Sequence, residues 1–212
     1  MQGIILAAGK GKRLQRLSRY SSKAMLPVAG KPMIRRVAES MIGAGLKELL
    51  VVVPPGDNDI RRHFESPGIY KKIAITIVIQ PEPKGMADAL RYVLPYIRSA
   101  FLVSACDNWL PEEVIRGMIE KWNSSDWDTL LALTPVCDEE VERMGIVGMA
   151  GEKITTIVEK PRLENAPSRI GSIPVYIFSS KILTCLPKVQ LSTRGEYELQ
   201  DAIQLMIRDG QS

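Results

Sequence analysis

The sequence predicts a three-layer α/β domain built on a mixed, mostly parallel sheet. Three observations carry this. Short apolar runs alternate with helical patterns from the N-terminus to about Leu133, those runs are nearly continuous in apolar character, as strands covered on both faces are, and after Pro135 the rhythm changes to that of a hairpin. A chain of 212 residues with 45% hydrophobic content can bury one sizeable core, so one domain over 1–212 is expected.

Taken in order, strands are expected over 3–7, 48–53, 74–80, 100–105 and 129–133, with crossover helices between them. Pro32 is placed to open the first helix at its first helical position. Met33, Ile34, Val37 and Met41 supply the apolar stripe, and Gly43 and Gly45 can end it. A short helix follows over 57–65, and amphipathic stretches cover 86–97 and 111–122, the latter again with a proline at its start. Beyond Pro135, the runs 144–149 and 153–159 read as two strands joined by a turn at Ala150 and Gly151, and 173–178 as a third, extending the same sheet. A final helix over 196–208 sets Leu199, Ile203 and Ile207 on one face, and the loop 161–169 is the one candidate flexible stretch.

The charge is unevenly spread. Of 28 basic residues against 24 acidic, nine (Lys10, Lys12, Arg13, Arg16, Arg19, Lys23, Lys31, Arg35 and Arg36) precede the first acidic residue, Glu39, so the rest of the chain is net acidic. A basic segment on an acidic body suits a compact anion such as a nucleoside triphosphate and argues against nucleic acid as partner. Cys106, Cys137 and Cys185 give neither a disulfide framework nor a metal signature, which points to a reducing, cytoplasmic setting. The longest apolar runs, over 46–55 and 73–79, fall far short of the ~18 residues of a membrane span, so no membrane partner is expected. Residues 1–8 lack the basic start and apolar core of a secretory signal. Homo-oligomerisation stays open, since single aromatic residues such as Trp109 or Trp127 are too common on surfaces to mark a subunit contact.

Directly after the first strand the chain reads L-A-A-G-K-G-K-R-L, then S-K-A-M-L-P-V-A-G-K-P-M. Gly9 and Gly11 let backbone approach a ligand closely, and the basic side chains make the loop a polyphosphate cradle. It is not a P-loop: one residue separates the glycines, and Arg13 stands where a hydroxyl belongs. Nor is it a dinucleotide fingerprint, since Leu14 takes the third glycine position.

Four later features fall at strand ends, where α/β sheets hold ligands. Asp107 can hold Mg²⁺ against phosphate oxygens, or serve as a turn residue before Pro111. Gln80 can pair with a base edge, with Gly85 admitting the ring, or both can belong to a loop leading into a helix. Glu159 and Lys160, before Pro161, can divide a substrate's hydroxyls from its phosphate. Gly145 can admit a hydroxylated ligand, or mark a turn.

With these residues in place the chain resembles the sugar-1-phosphate nucleotidyltransferases, or nucleotide-sugar pyrophosphorylases, over nearly its whole length; the opening loop with Lys23, L-P-V and G-K-P-M is the most specific part. The resemblance implies a Rossmann-like, glycosyltransferase-A-like domain. Its implied reaction joins a nucleoside triphosphate (UTP, dTTP or CTP) to a sugar 1-phosphate, releasing pyrophosphate and forming a nucleotide sugar. Arg13 and Lys23 would contact phosphates, and Leu6, Ala7, Ala8, Gly9, Gly11 and Lys12 would hold the nucleotide. Gln80 and Gly85 would read the base, Asp107 would bind Mg²⁺, Gly145 and Glu159 would line the sugar pocket, and Lys160 would bind the sugar phosphate. Such chemistry asks for alignment and charge neutralisation more than for acids and bases, because a sugar phosphate is already a nucleophile.

The chain departs from its relatives at three places. Ser22 precedes Lys23 where a proline is usual. Pro174, with Ser172 nearby, stands near the expected sugar site where glycine is typical. The sequence stops at Ser212, soon after G-E-Y-E-L-Q-D-A-I, where relatives continue to an aspartate that completes the metal site. Asp107 is then the one strong ligand expected, with Glu196 or Asp201 as substitutes, and no acyltransferase domain follows. Pro174 keeps open a cytidylyltransferase acting on a phosphorylated alcohol such as phosphocholine, and the missing aspartate keeps open a non-catalytic nucleotide-sugar sensor.

Overall fold

The computed structural model describes residues 1–9, 22–66 and 70–211. Strands β1 (Gln2–Leu6), β4 (Glu48–Val53), β5 (Ala74–Ile79) and β6 (Phe101–Ala105) form a parallel core in the order β5-β4-β1-β6, and a minimal hairpin, β2 (Pro27–Val28) with β3 (Lys31–Pro32), lies apart from the sheet. Alternate residues of these strands face opposite ways. Ile4, Leu6, Leu50 and Val52 pack with α3 (Met86–Val93), α6 (Ile182–Cys185) and α7 (Leu199–Arg208). Ile5, Leu49, Val51 and Leu102 pack with α1 (Met33–Gly43), α2 (Asn58–Glu65) and α4 (Glu112–Asn123). Both faces of β1, β4 and β6 are covered, which is why these strands read as nearly continuous apolar runs, whereas the edge strand β5 is only half-buried.

The far side of the sheet departs from the expected parallel order. β7 (Thr129–Pro135) does not pair with a parallel neighbour; β10 (Ile170–Phe178) lies between it and β6, antiparallel to both. β7 still points the same way as β1, but only because two reversals cancel. A hairpin of β8 (Gly145–Ala150) and β9 (Lys153–Glu159) completes the sheet, so that six of its eight strands share one direction. β10 is longer than expected and is bulged between Ile173 and Tyr176. Pro174 sits in that irregularity, where its missing N–H costs no ladder bond.

That overhang decides where the site forms. Pairing of β10 with β6 begins at Val175 and Ser104, so residues 170–173 project past the C-terminal end of β6 and carry β8 through Gly171–Ile146 and Ser172–Gly145. Gly145 and Glu159, themselves paired, are thereby brought to the rim where the parallel strands end.

Helix starts need small corrections. Pro32 and Pro111 are N-caps, one residue before α1 and α4 begin. α3 stops at Val93 and continues only as a 3-10 turn over Leu94–Tyr96. The last helix begins at Leu199 instead of 196, because the backbone before it is committed elsewhere: Tyr197 N donates to Lys84 O (2.7 Å) and Ser192 N to Glu196 O (2.9 Å). A short helix α5 (Asp138–Val141) follows β7. The loop 161–169 holds a 3-10 turn at Leu163–Asn165, and Ser168 Oγ donates to Val147 O (2.6 Å).

Candidate active site

The rim is assembled by short extensions of the strands. Ala7 N donates to Val52 O (2.8 Å), Gln80 N to Val53 O (2.9 Å) and Cys106 N to Leu6 O (3.0 Å), which carries the ladder one step past β1, β5 and β6. Leu6, Ala7 and Ala8 are buried there, and Gly9 is exposed, with no atom of the described residues within 4 Å of where its Cβ would stand. Gly11, Lys12 and Arg13 lie outside the described residues.

Lys23 opens a 3-10 turn, Lys23–Met25, whose first N–H groups are capped by Ser22 Oγ, accepting from Ala24 N at 3.2 Å. The serine that replaces the usual proline thus holds the lysine's turn. The Lys23 ammonium pairs with the Asp107 carboxylate, both side chains about one-third exposed at 31% and 32%. Asn108 Nδ2 donates to Asp107 Oδ1 at 3.2 Å. Burial pushes the neighbouring Cys106 thiol up to about 12.

On the other side of the cradle, Gln80 is buried, and its Nε2 donates to Asp88 Oδ2 (2.7 Å) and Gly85 O (3.3 Å). Gly85 has φ +103°, and a Cβ there would meet Tyr197 O at 2.5 Å and Tyr197 N at 2.8 Å. Only glycine fits this close crossing of two backbones.

At the hairpin, Glu159 Oε1 takes Arg194 Nη1 at 2.9 Å and Lys160 Nζ at 3.1 Å, while Glu159 Oε2 is buried with no hydrogen-bond partner among the described residues. An unmatched carboxylate oxygen is costly, of order 1–3 kcal/mol or more, and marks a place prepared for a donor. That oxygen lies 3.3 Å from where a Cβ on Gly145 would stand. Gln200 Cγ approaches the same point at 3.2 Å, so any side chain at 145 would displace groups of the pocket. Lys160 holds φ +46°, fixed by Lys160 N donating to Met144 O (3.1 Å). Strain of this kind, about 1–3 kcal/mol, collects where a side chain must be aimed.

A cleft of 390 Å³ opens beside Glu159, lined by Arg194, Glu198, Asp201 and Gln204 among others. A more apolar cleft of 840 Å³ is lined by other residues of β9 and α7 together with β7, between Trp127, Ile154 and Met206, with its rim charges Lys121 and Glu152 paired to each other (2.6 Å); it carries none of the residues above.

The structure therefore brings Lys23 and Asp107 together, Gln80 and Gly85 together, and Gly145, Glu159 and Lys160 together. Pro174 stands two residues along β10 from Ser172, the partner of Gly145. Asp201 lies close enough to Glu159 to feel its charge, and Glu196 is bound to Arg194 at 3.2 Å, so both belong to the hairpin side. Two contributors escaped the sequence reading. Arg194, the counter-ion of Glu159, was signalled only by its place before G-E-Y-E-L-Q-D. Asp88, which holds Gln80, stands in the first turn of α3, where an acidic residue carries no special signal.

The fold and rim define an α/β domain with a mostly parallel sheet whose C-terminal edge carries a lysine–aspartate pair, a buried glutamine and a buried carboxylate oxygen without a partner among the described residues. The chain belongs to the nucleotidyl transferase family, which it matches over residues 2–212, and it is a nucleotidyltransferase. It is similar to UTP–glucose-1-phosphate uridylyltransferase AglF of Haloferax volcanii, 33% identical over 213 residues, covering 100% of this chain and 86% of that protein. It is also similar to UTP–glucose-1-phosphate uridylyltransferase of Haemophilus influenzae, 28% identical, covering 98% of this chain and 82% of the other. Among solved structures, a UDP-glucose pyrophosphorylase complexed with UDP-glucose shares the fold with a TM-score of 0.88 at 23% identity, covering 100% of this chain and 88% of that one.

Proposed function

We propose that this chain, as one domain over 1–212, transfers the nucleotidyl group of UTP or dTTP to a hexose 1-phosphate. A phosphate oxygen of the sugar 1-phosphate attacks the α-phosphorus, the bond to the β-phosphate breaks, and pyrophosphate leaves with the electron pair. The observation that carries this reading is the buried Glu159 Oε2 beside Gly145, which has no hydrogen-bond partner among the described residues. A sugar hydroxyl donates to it while the ammonium of Lys160, beside the same carboxylate, takes the sugar's phosphate. Gly9, with Leu6, Ala7 and Ala8, carries the nucleotide, Gln80 and Gly85 meet the base, and Lys23 and Arg13 neutralise the leaving pyrophosphate. Gly11 and Lys12 complete the loop, and Pro174 shapes the sugar side.

Asp107 fits Mg²⁺ of the kind that arrives on a triphosphate. It is one hard carboxylate, partly exposed, which leaves the other positions of an octahedral ion to phosphate oxygens and water. When bound, the ion would withdraw charge from the phosphates of the triphosphate. Among the described residues no helix is long and apolar enough to cross a membrane, and we place the reaction in the cytoplasm, where the three free cysteines stay reduced.

The test is pyrophosphate release from the protein with Mg²⁺, each common triphosphate and a panel of sugar 1-phosphates and phosphocholine. Release with UTP or dTTP and a hexose 1-phosphate is expected. Release only with CTP and phosphocholine, or none with any pair, refutes the reading.

A further inference from the structure

We infer that Arg36 is a positioning residue for Lys23: its guanidinium clamps the β2–β3 hairpin shut against α1, and the closed hairpin holds the Lys23 ammonium where a triphosphate meets it. The inference rests on the reading above that Lys23 meets the triphosphate.

The hairpin has little of its own to keep it closed. Each strand is two residues long, and a hairpin of that size is marginal alone. Pro27 and Val28 are exposed, so burial does not hold β2 down. Pro27 and Pro32 face each other in the ladder, and neither has an N–H to donate. The turn that joins the strands sets both of its residues at positive φ, as two-residue hairpin turns do. Gly30 adopts φ +78° freely, but Ala29 is held at φ +47°, where its methyl group is disfavoured.

What closes it is polar and comes from α1. Arg36 Nε donates to Val28 O (2.7 Å) and Arg36 Nη2 to Ala29 O (3.0 Å), so one planar guanidinium grips the carbonyls on either side of the disfavoured torsion. Glu39, a turn further along α1, takes Lys31 Nζ of β3 at 2.8 Å and is steadied by Arg35 Nε at 2.7 Å. Lys31, Arg35 and Arg36, three of the nine cations that precede Glu39 in the sequence, are therefore used to mount the hairpin.

The hairpin in turn carries Lys23. Met33 N donates to Leu26 O (3.0 Å) at its base and Leu26 N to Lys23 O (3.1 Å), so backbone hydrogen bonds run in two steps from the start of α1 to the lysine. Ala24, next to Lys23, is fully buried in the same apolar cluster as Ile34 and Val37 of α1, which fixes where the turn sits. Opening the hairpin would release the Leu26 end of that chain of bonds and let the ammonium drift from Asp107. A productive contact tolerates only about 0.5 Å of misplacement, so such slack reads as weaker triphosphate binding.

The test measures calorimetric binding of the better of UTP and dTTP with Mg²⁺, and KM for that triphosphate and for the sugar 1-phosphate. It uses the wild-type chain, Arg36→Ala, Arg36→Lys, Ala29→Gly, Lys23→Ala and the pairs Arg36→Ala/Ala29→Gly and Lys23→Ala/Arg36→Ala, each with its melting temperature. Arg36→Ala is expected to weaken triphosphate binding by about tenfold, the scale of one lost charge-assisted contact, while KM for the sugar 1-phosphate stays put. Arg36→Lys keeps the charge but not the two-pronged grip, and should fall with Arg36→Ala. Ala29→Gly, which removes the disfavoured methyl, should leave the wild type unchanged and restore Arg36→Ala to within about twofold. With Lys23 already replaced, loss of Arg36 should add nothing, since it acts through that lysine. An Arg36→Lys that binds like the wild type makes Arg36 a plain charge and overturns the inference. So does a loss in Arg36→Ala that adds in full to that of Lys23→Ala, that falls equally on both substrates in step with melting temperature, or that Ala29→Gly does not restore. Unchanged binding in Arg36→Ala overturns it as well. If Lys23→Ala binds the triphosphate like the wild type, the placement of the triphosphate at Lys23 is what fails, and the inference falls with it. Because binding is read directly, these outcomes stand apart from whether any pair of substrates releases pyrophosphate.

Discussion

Lys23 and Asp107, 84 positions apart in sequence, meet as an ion pair at the end of β6. Each neutralises the other in the absence of substrate. On the proposed function a triphosphate would compete for the ammonium and its Mg²⁺ for the carboxylate, so binding would exchange one ion pair for two without leaving a charge unmatched. The part-exposed pair itself contributes little to stability, as such pairs do, about 0–1 kcal/mol.

Asp107→Asn should therefore leave the fold intact and lower turnover by about a hundredfold or more, the scale seen when a transition-state charge partner is removed. Lys23→Ala should act mainly on kcat/KM for the triphosphate. Steady-state kinetics beside thermal unfolding would check both. A variant with wild-type rates, or one whose loss of activity follows its loss of melting temperature, would contradict the assignment.

Gly85→Ala should be strongly destabilising and should damage nucleotide binding at the same time. The backbone at φ +103° and ψ 174° lies in a region that costs other residues about 1–3 kcal/mol. The added methyl would also press on Tyr197 O and N, which cannot retreat because both are hydrogen-bonded across the turn. Denaturant unfolding should show a loss at or beyond the upper end of that range. A loss under about 1 kcal/mol, the lower end of that range, would mean that the Tyr197 crossing yields.

The parallel core was legible because burial on both faces writes itself locally, as nearly continuous apolar runs ending at Leu6, Val53 and Ala105, and the half-buried edge strand β5 was legible from its β-branched composition. The partner of β7 was not, because β10 enters the sheet from much later in the chain and nothing in Thr129–Pro135 says which neighbour it will have. Site residues at strand ends, such as Asp107 and Glu159, could be picked out by position and type. Arg194 and Asp88 could not, since each acts through a contact between segments distant in sequence or in an ordinary helix turn. The late start of α7 was hidden for the same reason: the commitment of Tyr197 to Lys84 is a tertiary contact.

Arg194→Ala should weaken the sugar side selectively. Arg194 Nη1 holds Glu159 Oε1 at 2.9 Å, and its removal leaves Lys160 to serve both that carboxylate and the incoming phosphate. KM for the sugar 1-phosphate should rise by about tenfold or more, as expected when a charge-assisted contact worth about 1.5–3 kcal/mol is lost. KM for the triphosphate should move far less. Equal changes in both would place Arg194 outside the sugar site.

Glu198 gives the same cleft a dependence on pH. It is buried beside Arg194, accepts from Ser192 Oγ at 2.9 Å, and burial raises its carboxyl above the ordinary value of 4.5, outweighing the opposite pull of Ser192 and Arg194. Between 4.5 and that raised value the folded chain binds more protons at this group than the unfolded chain does, so its contribution to stability falls as pH rises through the window. At pH 7 the ionised Glu198 is therefore a net cost, and Glu198→Gln, which can still accept from Ser192, should melt higher than the wild type. That advantage should shrink steadily as the pH is lowered towards 4.5, where the wild-type carboxyl takes up its proton. Paired melting curves between pH 7 and 4.5 would show it, and an advantage that stayed constant or grew on acidification would reverse the sign of the linkage.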